Sequence, residues 1–126
     1  MYRPLIPYAA THNLRLVLLN MHGYPESTTY SDAELDRLEG TPMEQELALK
    51  IRGVELAVFL HWFIESEHIP PATEVEGSGK TGGVSVLAWS GGNTVSLAMF
   101  AHANALPQDT QKLLGAYLRT LILYGA

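Results

Sequence analysis

Three short runs of the chain are apolar almost without interruption: Leu14-Arg15-Leu16-Val17-Leu18-Leu19-Asn20, Val84-Ser85-Val86-Leu87-Ala88 and Leu121-Ile122-Leu123-Tyr124. Such runs, rich in Val, Leu and Ile, read as strands covered on both faces. Between the first two, Leu47, Ile51, Val54 and Val58 recur at helical spacing. The start of that helix is written in Thr41-Pro42-Met43-Glu44. Thr41 caps, Pro42 takes the first helical position and Glu44 completes a capping box. The helix runs toward Glu67 and stops before Pro70-Pro71, with Gly53 as a candidate kink. From Leu56 to Ile64 it is apolar almost all round, which predicts deep burial with Phe59, Trp62 and Phe63 as core packing. Val95, Ala98 and Met99 predict a second helix directly after Val84–Trp89, and Pro107-Gln108-Asp109 opens a third that runs to about Arg119.

The remaining segments are punctuated by breakers. Residues 1–13, with Pro4 and Pro7, read as irregular or as a frayed helix end. Residues 21–29 form a loop containing Gly23 and Pro25, and Ser31 caps a short helical turn to Leu35. Residues 72–83 are polar and glycine-rich, a flexible surface loop. The order is strand, helix, strand, helix, helix, strand. That alternation predicts an α/β fold, a small mainly parallel sheet with flanking helices and right-handed crossovers, built as one domain over residues 1–126.

Composition narrows the function classes. The 126 residues suffice for one small core, and no apolar run approaches a membrane span. Met1-Tyr2-Arg3-Pro4 opens no signal peptide, so a cytoplasmic protein is the default expectation, with no membrane partner. The absence of cysteine removes disulfide and thiol chemistry. Residues 26–76 hold twelve acidic and three basic side chains, a net of −9 against +4 for the remainder. That distribution argues against nucleic acid as a partner, since phosphates need Lys and Arg, and fits a solvated helical layer. Five scattered histidines suggest no metal site, and no cofactor is implied.

The candidate chemistry lies at Ala88-Trp89-Ser90-Gly91-Gly92, between the second apolar run and its helix. A strand, a tight turn carrying one serine and a helix make a nucleophile elbow. The turn lifts the Ser90 hydroxyl above the sheet edge at the positive end of the helix, and the Gly91 N–H is placed to donate to an oxyanion. The usual pattern is G-x-S-x-G; here Ala88 replaces the first glycine. The alternative is that Ser90 merely caps the helix. Trp89 is the candidate substrate contact.

Two other constellations compete. Gly77-Ser78-Gly79-Lys80-Thr81 suggests a phosphate loop, but the position that needs glycine is Glu74, and the segment precedes a strand instead of following one. His22 follows the first apolar run, on the rim where open α/β sheets bind ligands, and is a candidate base for Ser90. His61 and His68 read as surface or packing residues of the long helix.

Ala88-Trp89-Ser90-Gly91-Gly92-Asn93 resembles the elbow of α/β-hydrolase fold proteins, especially fungal-type members. The likeness extends through Leu14–Asn20, Tyr24-Pro25 with Ser27-Thr28, Glu55-Leu56-Ala57 with Phe59-Leu60, and Leu121–Tyr124, nearly the whole chain. It implies that Leu14–Asn20, Val84–Ala88 and Leu121–Tyr124 match the family's fourth, fifth and sixth strands. The alternative makes His22-Gly23 the family's His-Gly oxyanion loop after its third strand. Either match makes the chain about half of a family member, a partial α/β-hydrolase fold of serine hydrolase ancestry acting on an ester or other small acyl substrate.

The family's order of serine, acid and histidine is not met. After Ser90 stand only His102 and then Asp109, and His102 lies roughly 18 Å along a helix at ~1.5 Å per residue. The competing expectation is a non-catalytic half-domain, a remnant or interaction module. Leu121–Tyr124 carries no charge or proline to protect an edge, which predicts self-association through edge strands.

Overall fold

The computed structural model describes residues 3–77 and 79–125. Ser78, in the middle of the glycine-rich segment, lies outside the described residues. The chain divides into two compact units, one up to Asp32 and one from Ala33 onward.

The first unit opens with a 3-10 turn, Arg3–Leu5, and helix α1 (Ile6–Thr11). Pro7 sits in the first turn of α1, where a missing N–H leaves no helical bond unmade. The strand expected at Leu14–Asn20 does not form: residues 14–20 carry no regular structure and are exposed throughout. An apolar run becomes a strand only when another strand takes its N–H and C=O groups, and no strand is described in this unit. The following loop is closed by Gly23 N–H donating to Thr28 O at 2.8 Å and Asn20 Nδ2 donating to Pro25 O at 2.6 Å.

From the boundary onward, α2 (Asp32–Glu39) replaces the short turn expected there and precedes α3 (Pro42–Ser66). The predicted capping box is present at the start of α3. Glu44 N–H donates to Thr41 Oγ1 at 3.4 Å, and Thr41 N–H donates back to Glu44 Oε2 at 2.7 Å. Arg52 ties α3 to α2 through Glu34 at 2.8 Å. The segment expected as a loop folds into a hairpin of β1 (Thr73–Val75) and β2 (Gly79–Thr81). β3 (Val84–Trp89), α4 (Gly91–Ala101), α5 (Gln108–Tyr117) and β4 (Leu118–Tyr124) complete the unit. β3 and β4 pair in parallel, so this is a mixed α/β structure in which the described residues form two separate two-stranded sheets, one antiparallel and one parallel, instead of one mainly parallel sheet.

The core joins Ala57, Leu60 and Ile64 of α3 to Met99 of α4 and Leu106 and Leu114 around α5, with Val84 and Val86 of β3 against it. Gly53 lies within the continuous helix α3 and marks where it meets the backbone of α4. A Cβ there would lie 2.6 Å from Ala98 C and Met99 N. The expected burial all round Leu56–Ile64 holds on one face only. Val58 is 50% and Trp62 59% exposed, so Trp62 is not core, whereas Phe59 packs partly against the cluster. Among the described residues, no helix is long and apolar enough to cross a membrane.

Two glycines make a matched test. Gly53→Ala should lower stability by about 1–3 kcal/mol, because the helix backbones must separate. Gly115→Ala, on α5 with nothing within 4 Å of the added carbon, should raise it by up to ~1 kcal/mol through helix propensity. Chemical denaturation of both variants checks the pair.

The hydrogen bonds from Thr41, side chain first and then backbone, hold the Glu44 carboxyl below the ordinary glutamate range. A lowered folded-state value stabilises above the unfolded value and is lost as pH falls through the folded one. In NMR titrations, Thr41→Ala should move the Glu44 midpoint upward. Glu44→Gln should remove the corresponding acid-side slope in stability.

Candidate functional site

The site is built from the end of β3, the first turn of α4 and the end of β4. β3 alternates. Val84, Val86 and Ala88 turn toward the helices, while Ser85, Leu87 and Trp89 are exposed. In the parallel register Trp89 lies opposite Tyr124. The chain then reverses at Ser90, and α4 begins at the next residue.

Ser90 adopts φ 51°, ψ −121°, a left-handed conformation that glycine tolerates and serine rarely takes. It makes no side-chain hydrogen bond to the helix it precedes, and its backbone is not in the extended region of an ordinary N-cap. Ser90 thus stands at the N-cap position of α4 without a capping bond from its side chain. The strain is held from outside: Ser90 N–H donates to Tyr124 O at 3.2 Å, and Asn93 N–H donates to Ser90 O at 2.9 Å. Asn93 Nδ2 donates to Gly125 O at 2.9 Å, fastening the first turn of α4 to the end of β4. The Trp89 indole lies across Gly125, where a Cβ would sit 2.5 Å from Nε1. That packing uses part of the ring, which remains 40% exposed.

The Gly91 N–H belongs to the first turn of α4, where amides have no helical acceptor and the dipole end is positive. The turn thus offers a half-buried serine beside a backbone donor, with exposed Trp89 and Tyr124 opposite each other at the strand ends.

The candidate bases belong to different elements. His22 belongs to the first unit, where its ring lies 4.6 Å from that of Tyr30. His61 is committed to structure, its Nδ1 sharing a 2.7 Å hydrogen bond with buried Thr110 and its Nε2 lying 3.3 Å from Glu65. Sequence reasoning missed this link between α3 and α5, because nothing in the spacing of His61 and Thr110 announces it. His102 is the C-cap of α4, at the end opposite Ser90, and His68 follows the end of α3. Asp109 accepts from the Thr110 N–H at 2.8 Å in the first turn of α5. The glycine-rich segment carries β1 and β2, and its Lys80 and Gly82 carbonyls accept from Arg119, so it is held against the start of β4.

Comparison with protein-family models, with curated proteins and with solved structures gave no match. What fold and site define together is a mixed α/β protein with a strained serine between a parallel strand and a helix.

The strain is measurable. Ser90→Gly should raise stability by about 1 kcal/mol, the relieved backbone strain exceeding the entropy cost of glycine. Ser90→Val should lower it, since a β-branched residue tolerates this conformation least. Denaturant midpoints of the two variants check the sign of each effect.

Proposed function

We propose that the second unit carries a serine nucleophile of the α/β-hydrolase type, with Ser90 accepting the acyl group of a small ester. The observation that carries this reading is the Ser90 backbone, φ 51° and ψ −121°, between β3 and α4 with the hydroxyl uncommitted to capping. The parallel pairing of β3 with β4 through α4 and α5 supports it, as does the resemblance of Ala88–Asn93 to the elbow of that family.

In the chemistry proposed, Ser90 Oγ adds to the ester carbonyl and the oxyanion accepts from the Gly91 N–H. Collapse expels the alcohol, which leaves with the proton that Ser90 gives up, and an acyl-serine remains. Water then cleaves the acyl group to the acid and restores the hydroxyl. A general base contributes about 10²–10⁴-fold to such steps. His61 and His102 are placed for other work, which favours acylation of Ser90 with slow turnover by the chain alone.

Incubating the chain with a fluorophosphonate or a p-nitrophenyl ester, followed by peptide mass spectrometry, tests this. The expected result is a covalent adduct on Ser90, absent in Ser90→Ala. Steady-state ester hydrolysis should be slow and nearly equal for both proteins. Modification at other residues, or an unmodified Ser90 at saturating reagent, supports the second reading, a non-catalytic interaction module.

A further inference from the structure

Asn93 closes a ring of hydrogen bonds around Ser90. Its backbone N–H donates to Ser90 O at 2.9 Å. Its side-chain Nδ2 donates to Gly125 O at 2.9 Å and to Tyr124 O at 3.4 Å. The Tyr124 carbonyl is the same one that receives the Ser90 N–H at 3.2 Å. The N–H and the C=O of Ser90 are therefore both held, the first by β4 and the second by Asn93, and the Asn93 side chain ties those two holders together. Fixing the groups on either side of the Ser90 Cα fixes both of its dihedrals, φ 51° and ψ −121°. Those dihedrals set the direction of the Cβ–Oγ bond relative to the Gly91 N–H.

The side chain serves this ring at the expense of its own oxygen. Only the NH₂ end of a carboxamide can face two carbonyl oxygens, so the orientation of Asn93 is determined by Tyr124 and Gly125. Oδ1 is then buried and accepts no hydrogen bond among the described residues. A buried acceptor without a donor lowers stability. Asparagine is thus a poor choice at this position for stability alone, and what it supplies that alanine or aspartate does not is the donor that joins α4 to the end of β4.

We infer that Asn93 is the positioning residue of Ser90: its side-chain amide, clamped on the Tyr124 and Gly125 carbonyls, holds the strained turn in the geometry in which Oγ adds to an ester while the Gly91 N–H meets the oxyanion. Asn93 acts through the Ser90 backbone and not on the ester itself. This role rests on the reading of Ser90 as the acyl acceptor.

Fluorophosphonate labelling of Ser90 over a range of reagent concentrations, read by peptide mass spectrometry, gives a maximal rate and a half-saturating concentration for each variant. At neutral pH Asn93→Asp keeps the shape of the side chain and suits the positive end of α4, but it has no donor for the two carbonyls. Asn93→Ala removes the orphaned acceptor together with the donor. Each should lower the maximal rate about tenfold or more and leave the half-saturating concentration within about twofold, because misplacing a reacting group slows the step without altering ground-state contacts. Thr41→Ala, which loosens the remote start of α3, should leave both values at the wild-type level. In hydrogen exchange the Ser90 amide should exchange about tenfold faster in Asn93→Asp, with the Met99 amide unchanged. Equal maximal rates in wild type and the Asn93 variants overturn the inference, and so does an unchanged Ser90 amide. A change confined to the half-saturating concentration also overturns it, since Asn93 is then a reagent contact. So does a slowing that Thr41→Ala reproduces, which is an effect of stability. In all four cases the wild-type serine is still labelled; an unmodified wild-type Ser90 instead overturns the reading of the serine, and this role with it.

Discussion

The approach of α3 to α4 at Gly53 is the contact on which the second unit depends. With hydrogen in place of a Cβ, the α3 backbone reaches the Ala98 carbonyl carbon and the Met99 amide. That closeness lets Ala57, Leu60 and Met99 bury each other almost completely. It also fixes the axis of α4, and through it the exit of the chain from β3. Small residues at the crossing, Gly53, Ala57 and Ala98, are therefore as important to the Ser90 turn as residues beside it.

The turn itself is an expensive conformation maintained by its neighbours. Backbone strain of this kind costs about 1–3 kcal/mol and persists only where surrounding contacts over-determine it. Here those contacts come from the end of β4: the Tyr124 carbonyl receives the Ser90 amide, the Gly125 carbonyl receives the Asn93 side chain, and Gly125 lies beneath the Trp89 ring. The parallel register with Trp89 opposite Tyr124 brings the two ends level, so one strand end can brace the other. A serine freed from capping, next to a first-turn amide, is the chemical consequence.

The elements readable beforehand were those whose cause is local. Thr41, Pro42 and Glu44 lie within one turn and satisfy each other, so the start of α3 was legible from four residues. Val84–Trp89 and Gly91–Ala101 were equally plain, one a β-rich run, the other a helical repeat broken from it by Ser90. Leu14–Asn20 looked at least as strand-like as Val84–Ala88, yet only the latter has a described partner, because pairing depends on a distant segment. Trp62 shows the converse: a large aromatic residue within an apolar helix segment reads as core, but it lies on the face turned from the cluster.

The chain by itself determined where helices start, where the serine turn falls and which residues could supply its chemistry, since capping, propensity and turn geometry act over a few neighbouring residues. Only the tertiary structure decided that Gly53 is a crossing point, that His61 is spent on Thr110, and that the end of β4 braces the Ser90 turn. Each of those depends on the position of an atom dozens of residues away along the chain, and that position is set by how the layers pack.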